Sequence, residues 1–234
     1  DGGGSWTAAA TGCTTGVRDI KVSPKYGTDN SVLALCVAAA APLSMSLNGG
    51  VSWAASAAST NAPLVFDVAP NFSGVDGGLV AIGTSGGGAA VIQINRWSGA
   101  AWGGFFNINA AAGPMDATGV PVALMDDATD AVIGLAFSPK FSTDSTLVVV
   151  IAAAEVGDLA EFRVSVGNTA ATTGNLTPTP SAGAAATASG LGTAYGWTLA
   201  AVAVPGTSIV RIAFPSDAET GGTVYFMCYN DDVN

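Results

Sequence analysis

Short apolar runs alternate along this chain with clusters of Gly, Ser, Asn and Pro, and no stretch carries the apolar period of a long helix. The pattern predicts strands at 17–22, 31–37, 43–47 and 51–55, then at 64–68, 79–82, 89–95 and 101–106. A third set lies at 131–137, 146–152 and 161–166, and a last pair at 208–214 and 223–228. Strands this close together, separated by turn residues, predict an all-β chain built from antiparallel hairpins.

The strands come in groups that share two markers. The first follows the opening strand of a group: Ser23-Pro24-Lys25-Tyr26-Gly27-Thr28-Asp29 returns as Ser138-Pro139-Lys140-Phe141-Ser142-Thr143-Asp144. Looser copies are Ala69-Pro70-Asn71-Phe72 with Asp76, and Phe214-Pro215-Ser216-Asp217. The second marker precedes the closing strand and reads Ser46-Leu47-Asn48-Gly49-Gly50-Val51-Ser52-Trp53. Its spacing is met again by Asp1, Gly3 and Trp6, and by Asn95, Gly99 and Trp102, whereas Trp197 lacks the Gly. The two markers keep step: Trp6 to Pro24 is 18 residues, Trp53 to Pro70 is 17 and Trp197 to Pro215 is 18, with Trp102 to Pro139 longer at 37. Trp6 to Trp53 is 47 residues and Trp53 to Trp102 is 49, which suits four short strands forming one propeller blade.

The second marker resembles the Asp-box, with Asn48 where that motif usually has Asp. The resemblance implies a β-propeller of four-stranded antiparallel blades, in which Ser46, Asn48, Gly50 and Trp53, with Asn95, Gly99, Trp102 and Trp197 at the later copies, hold turns and pack sheets. The whole chain, 1–234, reads as a single propeller with repeats near 7–53, 54–102, 103–197 and 198–234. We expect a partial propeller, about three full blades with partial blades at both ends, because the first residues already lie inside a marker. The alternative is a four-bladed ring closed by the N-terminal strand.

Composition narrows the function. Hydrophobic residues make up 49% of the 234, and 31 are glycine, enough to bury a sizeable core. Only 10% are charged, but 17 acidic groups against 7 basic ones leave a formal net charge of -10, a field that argues against nucleic acid or anionic lipid as a partner. No apolar run is long enough to predict a membrane span. The absence of His removes the usual general base, the common nucleophile pairs and imidazole metal ligands, so no catalytic residue is assigned. A sialidase would need three converging arginines; Arg18, Arg96, Arg163 and Arg211 are all there are, and Arg18 and Arg211 stand at different points of their repeats.

Other residues supply candidates. Cys13 and Cys36 flank the first strand and are a candidate disulfide, while Cys228 has no partner in the repeat logic; three small buried hydrophobes are the competing reading. An insertion at 107–130 carries Asp116, Asp126, Asp127 and Asp130, a candidate Ca²⁺ site without EF-hand spacing, against the simpler reading of a solvated acidic loop. A second insertion, 168–190, has the Thr/Ser/Ala/Pro composition of an extended or O-glycosylated segment. Asn71 and Asn175 open formal N-glycosylation sequons. Trp97 and Arg96, off the repeat pattern, are either a sugar-stacking pair or ordinary, partly exposed turn residues.

Taken with its Ala, Gly, Thr and Val content, the repeat resembles those of prokaryotic surface-layer and other cell-envelope proteins. That implies a non-catalytic, extracellular structural protein that associates with itself or with other envelope proteins, with Ca²⁺ as the candidate cofactor. The rival readings are a secreted glycan- or peptide-binding propeller and, further off, a sialidase-like glycosidase. An intracellular propeller scaffold fits less well, because so few Lys and Arg are available to make a basic face.

Overall fold

The computed structural model describes residues 11–59, 61–85, 92–108, 131–144, 146–153, 158–165, 179–180, 209–214 and 225–229. These form an all-β structure of antiparallel sheets with two four-residue helical turns. The first sheet is an up-and-down meander of β1 (Val17–Val22), β2 (Val32–Cys36), β3 (Leu43–Ser46) and β4 (Ala54–Ala55), paired in chain order. Helical turn α1 (Tyr26–Asp29) joins β1 to β2. The closing strand is shorter than the apolar pattern predicts, because Val51 and Ser52 are taken up by the turn before it.

The order recurs twice. Strands β5 (Ala62–Val68), β6 (Gly78–Ser85), β7 (Ile92–Trp97) and β8 (Phe106–Ile108) pair antiparallel in sequence, with β8 displaced beyond the expected 101–106. The displacement follows from the turn at Ser98–Ala101, after which Gly103 N donates to Arg96 O at 2.8 Å and Trp97 bridges Trp102 before regular pairing begins. Next, β9 (Ala131–Phe137), α2 (Phe141–Asp144), β10 (Thr146–Ala153), β11 (Asp158–Ser165) and β12 (Thr179–Pro180) form a third meander. One pair, Ser85 with Ala131, joins the second and third meanders into an eight-stranded sheet. A hairpin of β13 (Ile209–Ala213) and β14 (Tyr225–Tyr229) follows.

The core explains why these strands read as continuous apolar runs. Leu33 and Leu35 of β2, Leu43 and Met45 of β3, Phe66 and Val68 of β5, and Val80 and Ile82 of β6 each stand two residues apart, so each pair lies on one face of its strand. Together with Phe72 and Trp97 they fill the space between the first two sheets. On the other face of the first sheet the central strands are also covered, since Ala34, Ser44 and Ser46 are fully buried, while Ile20 and Val22 of β1 stay exposed. Each fully buried Leu, Ile or Phe contributes roughly 1.5–3 kcal/mol relative to an exposed one, so this cluster is a main source of stability.

The opening strands of the groups lie beside one another. β1 packs against β5, β5 against β9, and β9 against β13. Polar contacts mark the first two of these junctions and add another: Lys21 of β1 meets Asp67 of β5 at 2.6 Å, Asp67 accepts from Phe137 N of β9 at 2.7 Å, and Arg211 of β13 meets Asp19 of β1 at 3.4 Å.

Candidate functional site

Chemistry-bearing side chains concentrate where the first sheet meets the second. The first marker folds as one local structure at three places, two of them at this junction and the third after β9. Tyr26 N donates to Ser23 O at 3.0 Å, Phe72 N to Ala69 O at 2.8 Å and Phe141 N to Ser138 O at 3.0 Å. The serine hydroxyls accept from the residue after proline, Lys25 N at 3.0 Å and Lys140 N at 3.1 Å, and Thr28 and Thr143 hydroxyls each donate back to the lysine carbonyl at 2.9 Å. Proline presets the backbone for such a turn and serine ties it down, so the spacing is a structural requirement. The marker aromatic seals the turn from inside at Phe72 and Phe141, both fully buried, and stays partly exposed at Tyr26.

Asp29 ends the first of these turns and is buried. Its carboxylate accepts from Ser23 Oγ at 2.6 Å, Ser31 N at 2.9 Å and, across the junction, Gly74 N at 2.8 Å. Burial would raise its pKa; the hydrogen bonds from Ser23, Gly74 and Ser31 outweigh burial and hold the carboxyl below the usual carboxylate range. Gly74 is itself a node, because its carbonyl accepts from Trp97 Nε1 at 2.7 Å. A side chain there would run into the Ser31 hydroxyl and come within 2.8 Å of Leu47 Cδ2, so only glycine lets the sheets approach this closely.

The turn at Ser46–Trp53 sits at the same end of the first sheet. Ser46 Oγ accepts from Gly50 N at 2.8 Å and donates to Asn48 Oδ1 at 2.8 Å. Asn48 Oδ1 also accepts from Ser52 N at 2.9 Å, Asn48 Nδ2 donates to Ser52 Oγ at 2.9 Å, and Trp53 Nε1 closes the loop on Gly50 O at 3.0 Å. Gly49 and Gly50 take φ of 69° and 98°, where a side chain would be strained. Gly49 N donates to Asn30 O at 2.9 Å, fastening this turn to the end of α1.

The later copy of that turn is built differently. Asn95 stands where Ser46 does, and Trp97 where Asn48 does. Asn95 is fully buried with no hydrogen bond to its carboxamide, and Ser98 Oγ instead accepts from Ala100 N and Ala101 N. Gly99 keeps a positive φ of 90°. Trp97 is 3% exposed, edge-on to Trp102 at 5.3 Å, so it is neither a free sugar platform nor a partly exposed turn residue. Its indole N–H found the Gly74 carbonyl and drew the ring inward, leaving neighbouring Arg96 exposed.

Cys13 and Cys36 are joined in a disulfide with Cα atoms 5.1 Å apart, fixing the segment before β1 to the end of β2. Cys228 lies on β14. Asn71 is exposed, but the next two residues of its sequon are buried and the Ser73 hydroxyl accepts from Val75 N and Asp76 N. Asp116, Asp126, Asp127, Asp130, Asn175 and Trp197 lie outside the described residues, as does Trp6. Among the described residues no group of three or more His, Cys, Asp or Glu is placed to hold a metal, and no helix is long and apolar enough to cross a membrane.

Asp67, Gly74 and the Asp19–Arg211 pair escaped the sequence reading. Asp67 left a signal: it is an acid inside the apolar run Leu64-Val65-Phe66-Asp67-Val68, where only a specific partner offsets desolvation. Compared with known proteins, the chain matches no family model and no curated protein.

Proposed function

We propose that this chain is a β-propeller module of an extracellular structural assembly, acting by subunit association without catalysis. The observation that carries the propeller is the adjacency of the opening strands. Asp67 ties β1 to β5 and β9, and Arg211 ties β13 back to β1, contacts that support reading the four opening strands as the innermost strands of blades around one axis. The Cys13–Cys36 disulfide favours an oxidising compartment. Low charge density and a high content of small residues suit close packing between subunits. A glycan-binding reading built on Trp97 loses its aromatic platform to the core.

Negative-stain electron microscopy of the native material, before and after a Ca²⁺ chelator, tests the proposal. Ordered arrays or filaments that index to one repeating subunit are the expected result, and loss on chelation would assign the acidic 107–130 segment a bridging role. Dispersed particles under all conditions would overturn the assembly reading and direct the search to glycan and peptide screens.

A further inference from the structure

Asn48-Gly49 is the only Asn-Gly pair in the chain, and Asn48 is exposed to water. Such a pair is chemically labile because glycine puts no side chain in the way of attack by its own backbone nitrogen. In that reaction Gly49 N bonds to Asn48 Cγ, the Cγ–Nδ2 bond breaks, and Nδ2 leaves as ammonia with the proton from Gly49 N–H. Water then opens the cyclic imide at one carbonyl to give Asp, or at the other to give isoaspartate.

The fold holds every reacting group. Gly49 N–H is committed to Asn30 O at 2.9 Å, Asn48 Oδ1 to Ser52 N at 2.9 Å and Ser46 Oγ at 2.8 Å, and Nδ2 to Ser52 Oγ at 2.9 Å. Attack requires releasing the glycine N–H and turning the carboxamide out of these bonds. We infer that Asn48 is a deamidation site held in check by the closed turn, so that its conversion records how often the turn opens.

The Asp product is compatible with the same turn. Its Oδ1 still accepts from Ser46 and Ser52 N, and the Ser52 hydroxyl rotates to donate to the second oxygen. Isoaspartate instead inserts a methylene into the backbone ahead of Gly49 and displaces the Gly49–Asn30 bond.

The test incubates native protein and guanidinium-unfolded protein side by side in mildly alkaline buffer, with conversion at residue 48 followed by peptide mass spectrometry. Native protein is expected to convert at least about tenfold more slowly, since several hydrogen bonds must break together. Ser52→Ala, checked as folded by circular dichroism, is expected to convert faster than the parent, and Asn48→Asp to melt within about 2 °C of it. Equal rates in native and unfolded protein, a folded Ser52→Ala no faster than the parent, or a large drop in the melting point of Asn48→Asp would each overturn the inference. The native-to-unfolded comparison decides it even if Ser52→Ala fails to fold.

Discussion

At Asp29 a single carboxylate serves two turns and a sheet junction. Replacing it with Ala strands the Ser31 and Gly74 amides in a buried site, and we expect a loss of roughly 3 kcal/mol in denaturant titration. Its lowered pKa gives a sign for pH. Because the folded value lies below the unfolded one, the stabilisation is fully present above about pH 4 and is lost as pH falls through the folded value. Thermal melts of Asp29→Asn between neutral pH and pH 2 should therefore start lower than the parent and fall less steeply in acid. A parallel acid limb in the two proteins would show that other carboxylates govern it. Gly74→Ala should cost about 1–3 kcal/mol by forcing Ser31 and Leu47 apart, read from the same titrations.

At the scale of the element, the Cys13–Cys36 bond closes a 23-residue separation across β1, and its reduction should cost roughly 3 kcal/mol. Melting with and without reductant, using Cys13→Ser as the control, measures this. Much of the strand layout was legible because it follows from local rules: Ser-Pro and Gly-Gly set the turns, and apolar runs set the strands between them. Trp97 was not legible, since its burial depends on the Gly74 carbonyl 23 residues away. The late start of β8 has the same origin, as the Trp97–Trp102 contact consumes the residues the apolar pattern assigned to strand. Asn95 shows the converse: its spacing copies Ser46, but a longer side chain next to an inward-turned Trp97 leaves its amide outside the turn. Sheet-to-sheet placement can be read directly. A zero-length carbodiimide should join Lys21 to Asp67, whose charged atoms are 2.6 Å apart, and the linked peptides should be found in a digest. Their absence, with other carboxyl–amine links present, would separate β1 from β5.

For the whole molecule, the question is whether four opening strands share one axis, and the answer rests on a contact between residues far apart in sequence. Arg211 and Asp19 are 192 residues apart and belong to the last hairpin and the first strand. In a protein with a net charge of -10, each of the seven basic groups has many acids available to it, so pairing at this point depends on where the hairpin docks. Reversing either charge alone, Asp19→Arg or Arg211→Asp, sets like charges beside each other and should lower stability by up to about 1 kcal/mol, the modest scale of a pair that solvent reaches. Reversing both should recover most of that loss, and the recovery should shrink as added salt screens the pair. Denaturant titrations of the four proteins at low and high ionic strength give the coupling directly. If the hairpin docks elsewhere, the two reversals will simply add at every salt concentration, and the proposed propeller will lose the contact between its last hairpin and its first strand.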